Sequence, residues 1–97
     1  MISPEEVELT LAEHPGVAES AVIGVEDLEW GEEVRAVVVA ADRGVTEQDL
    51  IDFCRDRLAG FKRPRSVVFV DELPRNVMGK VLKRDLREEF GHPVVNS

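Results

Sequence analysis

The run Val34-Arg35-Ala36-Val37-Val38-Val39-Ala40-Ala41 holds one charge among seven apolar side chains. A strand with one face in water alternates apolar and polar residues. This run does not alternate, so it reads as a strand covered on both faces. A chain that contains it must supply apolar cover from two sides.

The rest of the sequence supplies that cover. Ser3 reads as an N-cap, with Pro4 at the first helical position and Glu6 completing a capping box. Ile2 and Val7 take the hydrophobic-staple positions, and Val7 and Leu11 share a face. The helix stops before Pro15, because a residue preceding proline avoids helical geometry. Residues 17–25 form a first strand and residues 34–41 a second. Thr46 caps a second helix with Leu50, Phe53, Cys54 and Leu58 at helical spacing. Gly60 suits its end. A basic connector, Phe61-Lys62-Arg63-Pro64-Arg65, leads to a third strand at 66–70. Leu82, Leu86 and Phe90 mark a third helix, stopped by Gly91 and Pro93. The expected fold is α+β: a small three-stranded sheet flanked by about three helices. Residues 1–90 make the domain and 91–97 a flexible tail.

Length and composition narrow the classes. With 97 residues and 43% hydrophobic side chains, the chain fits one domain with a modest core. No run of about 18 apolar residues is present, so no membrane span is expected. The N-terminus has no secretory pattern. Cys54 is the single cysteine, and a cytoplasmic setting fits. The net charge of −8 is unevenly spread. Residues 1–60 carry 4 Lys/Arg against 15 Asp/Glu, and residues 61–97 carry 8 against 5. The basic end suits phosphates or carboxylates. The acidic remainder argues against nucleic-acid binding. His14 and His92 have no companions at metal-ligand spacing, so no metal site is expected.

Chemistry concentrates in Leu73-Pro-Arg-Asn-Val-Met-Gly-Lys-Val-Leu-Lys-Arg-Asp-Leu-Arg87. Gly79 lets the backbone turn sharply and approach a ligand. Lys80 is then offered at a loop tip, a compact charge with three donors. Spacing alone leaves it a solvated lysine or a ligand group. A P-loop is excluded, since Pro74 stands where its first glycine belongs and Val81 where its Ser or Thr belongs.

The segment Leu73-Pro74-Arg75-x-x-x-Gly79-Lys80-Val81-x-x-x-x-Leu86-Arg87 resembles the C-terminal signature of the acyl-adenylate-forming enzymes: acyl-CoA synthetases, peptide adenylation domains and beetle luciferases. Ile2-Ser3-Pro4-Glu5-Glu6-Val7-Glu8, His14-Pro15-x-Val17, Ala21-Val22-Ile23-Gly24-Val25, Trp30-Gly31-Glu32 and Phe61-Lys62-Arg63-Pro64-Arg65 match in order. Phe69-Val70-Asp71-Glu72-Leu73-Pro74 joins them to the lysine motif. Phe61-Lys62-Arg63-Pro64 and Met78-Gly79-Lys80-Val81-Leu82-Lys83 resemble the acyl-CoA synthetase branch more than the peptide-adenylation branch.

The resemblance implies a C-terminal lid whose partner is a large N-terminal domain holding ATP, Mg2+ and the acyl group. It also implies that the chain is an excised lid or begins just past the hinge. A carboxylic acid and ATP would give an acyl-adenylate and pyrophosphate, and CoA would then take the acyl group. The lid would turn between two orientations, one for each step. Lys80, presented by Gly79, would serve the first step, and the isolated chain would be inactive. Trp30 would stack on adenine or pack as a partly buried aromatic, and Phe61 would flank the nucleotide or join the core. Lys62 and Arg63 would meet CoA phosphates or form a basic surface connector. Arg65 would face solvent. Lys83, Arg84 and Arg87 would dock the lid or lie on an exposed helix face. A lysine acetyltransferase acting on Lys80 would remove its charge. Two other readings stand beside this one. The first is a freestanding interaction or CoA-binding module. The second is the lid of a peptide adenylation domain that serves a carrier protein. Medium- or long-chain fatty acyl, malonyl-type and aryl acids all remain open as substrates.

Overall fold

A computed structural model describes residues 3–27 and 31–92. Its elements run α1 (Pro4–Ala12), β1 (Val17–Asp27), β2 (Gly31–Ala40), α2 (Glu47–Arg55), a 3-10 turn (Gly60–Lys62), β3 (Pro64–Phe69) and α3 (Lys83–Phe90). The sheet order is β1-β2-β3, with β1–β2 antiparallel and β2–β3 parallel. The apolar run is the central strand, as its lack of alternation requires. The expected α+β fold, three strands with three helices, is the fold observed.

Period two divides β2 between two cores. Val34, Ala36 and Val38 pack with Val7 and Leu11 of α1, Leu50 and Cys54 of α2, and Leu58. On the opposite face Val37 joins Ala21, Ile23 and Val25 of β1 and Leu86 of α3, with Leu73 closing the cluster. The second cluster places the lysine loop, because Leu73 lies before that loop, and Val81 and Leu86 after it, on one sheet face.

The two outer edges of the sheet are covered by carboxylates. Val22 N donates to Glu8 Oε2 at 2.8 Å, and Val67 N donates to Glu47 Oε2 at 2.7 Å. Edge N–H groups met in this way are blocked from pairing with another chain. Phe53 of α2 meets the turn after α1 and the segment just past its own helix. The His14 ring meets it edge-on at 4.9 Å, and the Arg57 guanidinium lies 3.6 Å over its centroid.

Two local expectations are corrected. Thr46 caps α2 as expected, with Asp49 completing a capping box, whereas Ser3 makes no side-chain cap bond. Glu6, expected to reach back to Ser3, pairs instead with Lys62 Nζ at 2.9 Å. Ile2, the other half of the staple, lies outside the described residues. So does Trp30. The tail expected from residue 91 begins tied down, since Arg35 Nη1 donates to the Phe90 carbonyl and, at 2.8 Å, to the His92 carbonyl. Among the described residues no helix is long and apolar enough to cross a membrane.

Candidate functional site

The lysine loop is braced from within. Asn76 Oδ1 accepts from Met78 N at 2.9 Å and from Lys80 N at 3.0 Å. Asn76 N donates to the Lys80 carbonyl at 2.9 Å, and Gly79 N donates to the Asn76 carbonyl at 2.9 Å. Gly79 sits at φ +85°, where a Cβ would be strained even though no atom lies within 4 Å to clash with it. Arg75 Nη1 donates to the Gly79 carbonyl at 2.6 Å, while its Nη2 pairs with Glu19 on β1. Arg75 and Val81 form an antiparallel bridge at the base, and Leu82 N donates to the Pro74 carbonyl at 2.8 Å.

Lys80 emerges exposed from this frame. Among the described residues its ammonium forms no ion pair, although Lys62 and Lys83 each have one. It borders an open cleft of about 630 Å³, shared with Ser20, Asn76, Lys83, Arg84, Glu5 and Glu8. Lys83 pairs with Glu8 at 2.8 Å, so the charge nearest in sequence is already met. A compact ammonium on a rigid loop can hold two anionic oxygens together without reorganising.

A second, separate cleft lies at the 3-10 turn. Gly60, Arg63, Pro64 and Arg65 line it with Glu33, Ile51 and Arg55. Phe61 adjoins it and is 65% exposed, so the core-packing alternative is set aside. Arg63 Nε donates to the Leu58 carbonyl at 2.8 Å. Among the described residues its two Nη groups have no protein partner. Lys62 lies 5.7 Å over the Phe61 ring but is committed to Glu6. The two clefts share no lining residue. The structure therefore brings Gly79 and Lys80 together, and Phe61 and Arg63 together, in different places. Two contributors were not apparent from the sequence. Asn76 organises the lysine loop, and an asparagine three residues before a glycine is a turn signal that points to it. Arg55 joins Arg63 only through the fold, and Arg65 of the basic connector, exposed as expected, lines the same cleft. Among the described residues no three His, Cys, Asp or Glu side chains converge as metal ligands.

Known proteins are similar to this chain in sequence and fold. Residues 6–80 match the AMP-binding enzyme C-terminal domain family. A methyl-dioxo-octahydroindenyl propanoyl:CoA ligase of Rhodococcus jostii is 61% identical over 90 residues, which are 91% of this chain and 17% of that protein. A fatty acid–acyl-carrier-protein ligase of Streptomyces coeruleorubidus is 47% identical over 90 residues, 92% of this chain and 17% of that protein. The solved structure of a Mycobacterium tuberculosis fatty acyl CoA synthetase superposes with a TM-score of 0.88 at 44% identity, covering 93% of this chain and 18% of that one. The chain thus spans less than one fifth of the length of these relatives. It belongs to the AMP-binding enzyme C-terminal domain family, the C-terminal domain of adenylate-forming enzymes such as acyl-CoA ligases.

Proposed function

We propose that residues 1–90 are the mobile lid of an ATP-dependent acyl-CoA ligase and that Lys80 serves its adenylation step. The observation that carries this reading is the unpaired ammonium of Lys80 on a loop fixed by Asn76, Gly79 and Arg75. A carboxylate oxygen of the acid attacks the α-phosphorus of ATP, and the bond to pyrophosphate breaks. Charge gathers on the α-phosphate oxygens while the carboxylate is held against them. Lys80 Nζ donates to both groups, which opposes their repulsion and stabilises the charge that develops. The nucleotide's remaining contacts and the acyl pocket belong to the large domain.

In the second orientation the 3-10 turn faces CoA. The unpartnered guanidinium arms of Arg63, beside Arg55 and Arg65, supply forked donors for phosphate oxygens. Exposed Phe61 offers a flat apolar face for the nucleotide base. The separation of the clefts supports a lid that completes two sites in turn. Acetylation of Lys80 removes the charge that the first step uses, so a lysine acetyltransferase would act as an off-switch.

Deletion of this lid from the full-length ligase tests the reading. The truncated enzyme is expected to keep ATP binding and to lose pyrophosphate release. Unchanged pyrophosphate release after deletion would contradict it.

A further inference from the structure

The apex of the lysine loop is apolar and bare. Val77 is 102% exposed and Met78 85% exposed. Both lie between Asn76 and Gly79, where Met78 N donates to Asn76 Oδ1 and Gly79 N to the Asn76 carbonyl. The residue after Lys80 does the opposite, since Val81 packs against the cluster of Ala21, Ile23 and Leu86. Lys80 therefore stands between an anchored side and a bare apolar side. Loop tips are ordinarily built from small and polar residues. Two large apolar side chains exposed to water are unfavourable within this domain and become favourable when another surface covers them.

We infer that Val77 and Met78 seat in an apolar recess of the ligase's large domain and so set how far Lys80 enters the adenylation site. They are positioning residues, and the inference rests on the reading of Lys80 given above. The size of the patch identifies the occupant. Two side chains are far below the roughly 1,000 Å² that a lasting contact between separate proteins needs. Within one polypeptide, the tether raises the effective concentration enough for so small a contact to form and release in each cycle. This chain spans 17–18% of the length of its relatives, so the covering surface lies in the remainder of the same enzyme.

The test uses the full-length ligase and measures each half-reaction separately. Val77→Ser combined with Met78→Ser should slow pyrophosphate exchange about tenfold. Transfer of preformed acyl-adenylate to CoA should stay within about twofold of wild type. Val77→Ile with Met78→Leu should keep the wild-type exchange rate, because the apolar surface is retained. Unchanged exchange in the serine pair, in an enzyme where Lys80→Ala slows exchange, overturns the seating and leaves the lysine's role standing. Unchanged exchange in Lys80→Ala as well overturns both. Equal loss in the two half-reactions also overturns the seating. So does a defect that tracks protein concentration, since that would place a second copy on the patch.

Discussion

Asn76 holds Lys80 by both backbone groups: its side-chain oxygen accepts from Lys80 N at 3.0 Å, and its own N–H donates to the Lys80 carbonyl at 2.9 Å. The core anchors the two ends of the loop, and within it the backbone of Lys80 is held by a neighbour four residues earlier.

Asn76→Ala removes the two bonds made by that side-chain oxygen, each contributing about 0.5–1.5 kcal/mol. The loop is exposed, so the melting temperature should move little. Adenylation should slow about tenfold because the ammonium is less well placed. Asn76→Asp keeps the acceptor oxygen and should recover most of the rate, measured by pyrophosphate exchange in the full-length ligase.

Arg63 and Lys62 are neighbours with different commitments. Lys62 is paired with Glu6, whereas the Nη groups of Arg63 lack a protein partner among the described residues. Arg63→Ala should raise KM for CoA about tenfold, the effect of losing a charge-assisted contact. Lys62→Ala should change it by about twofold or less, because its loss removes only a surface ion pair. Steady-state titration with CoA distinguishes them, and reversed sensitivities would reassign the CoA contact to Lys62.

Arg35 is a buried charge, 5% exposed, that joins three elements. Its Nε donates to Ser66 Oγ of β3 at 2.8 Å, Nη1 reaches the Phe90 and His92 carbonyls, and Nη2 pairs with Glu33 at 3.3 Å. Arg35→Met leaves these acceptors unmet and should destabilise the chain by about 2–4 kcal/mol in urea. Amide protection in α3 should fall first. Arg35→Lys should not rescue it, because one ammonium cannot span the fork.

Cys54 lies fully buried under α2, and burial raises its thiol pKa from 9.0 to about 11, opposed in part by the Arg57 charge. Folding therefore favours the protonated thiol. Below pH 9 both folded and unfolded chains hold the proton, and this contribution to stability is fully present. Between pH 9 and about 11 the unfolded thiol ionises first, so stability falls with a slope of up to about 1.4 kcal/mol per pH unit. Cys54→Ala should lower stability at pH 8 through the cavity it leaves and should flatten the slope above pH 9. Unfolding series at several pH values measure both, and an unaltered slope would show that the thiol stays ionised or protonated equally in both states.

Local patterns were legible in the sequence, and partners distant along the chain were not. The uninterrupted run from Val34 required cover on two faces and received it from α1 and α2 on one side and α3 on the other. Gly79 announced the turn it makes. The Ser3-x-x-Glu6 pattern misled, because Lys62, 56 residues away, takes the Glu6 carboxylate. Nothing near Glu8 in the sequence reveals that it accepts from Val22 N at the β1 edge and pairs with Lys83. Arg35 looked like an interruption in an apolar strand, since nothing nearby in sequence reveals Ser66 or the end of α3. The lysine motif could be found from spacing and resemblance, but the isolation of its cleft from that of Arg63 required the fold.

Lys80 is assigned above to one half-reaction, adenylation. Lys80→Ala in the full-length ligase should reduce single-turnover acyl-adenylate formation by about a hundredfold to a thousandfold, the loss of about 3–4 kcal/mol of transition-state stabilisation. Mixing the same variant with preformed acyl-adenylate and CoA should give thioester at close to the wild-type rate. Equal losses in the two half-reactions, or an undiminished rate of adenylate formation, would contradict the account.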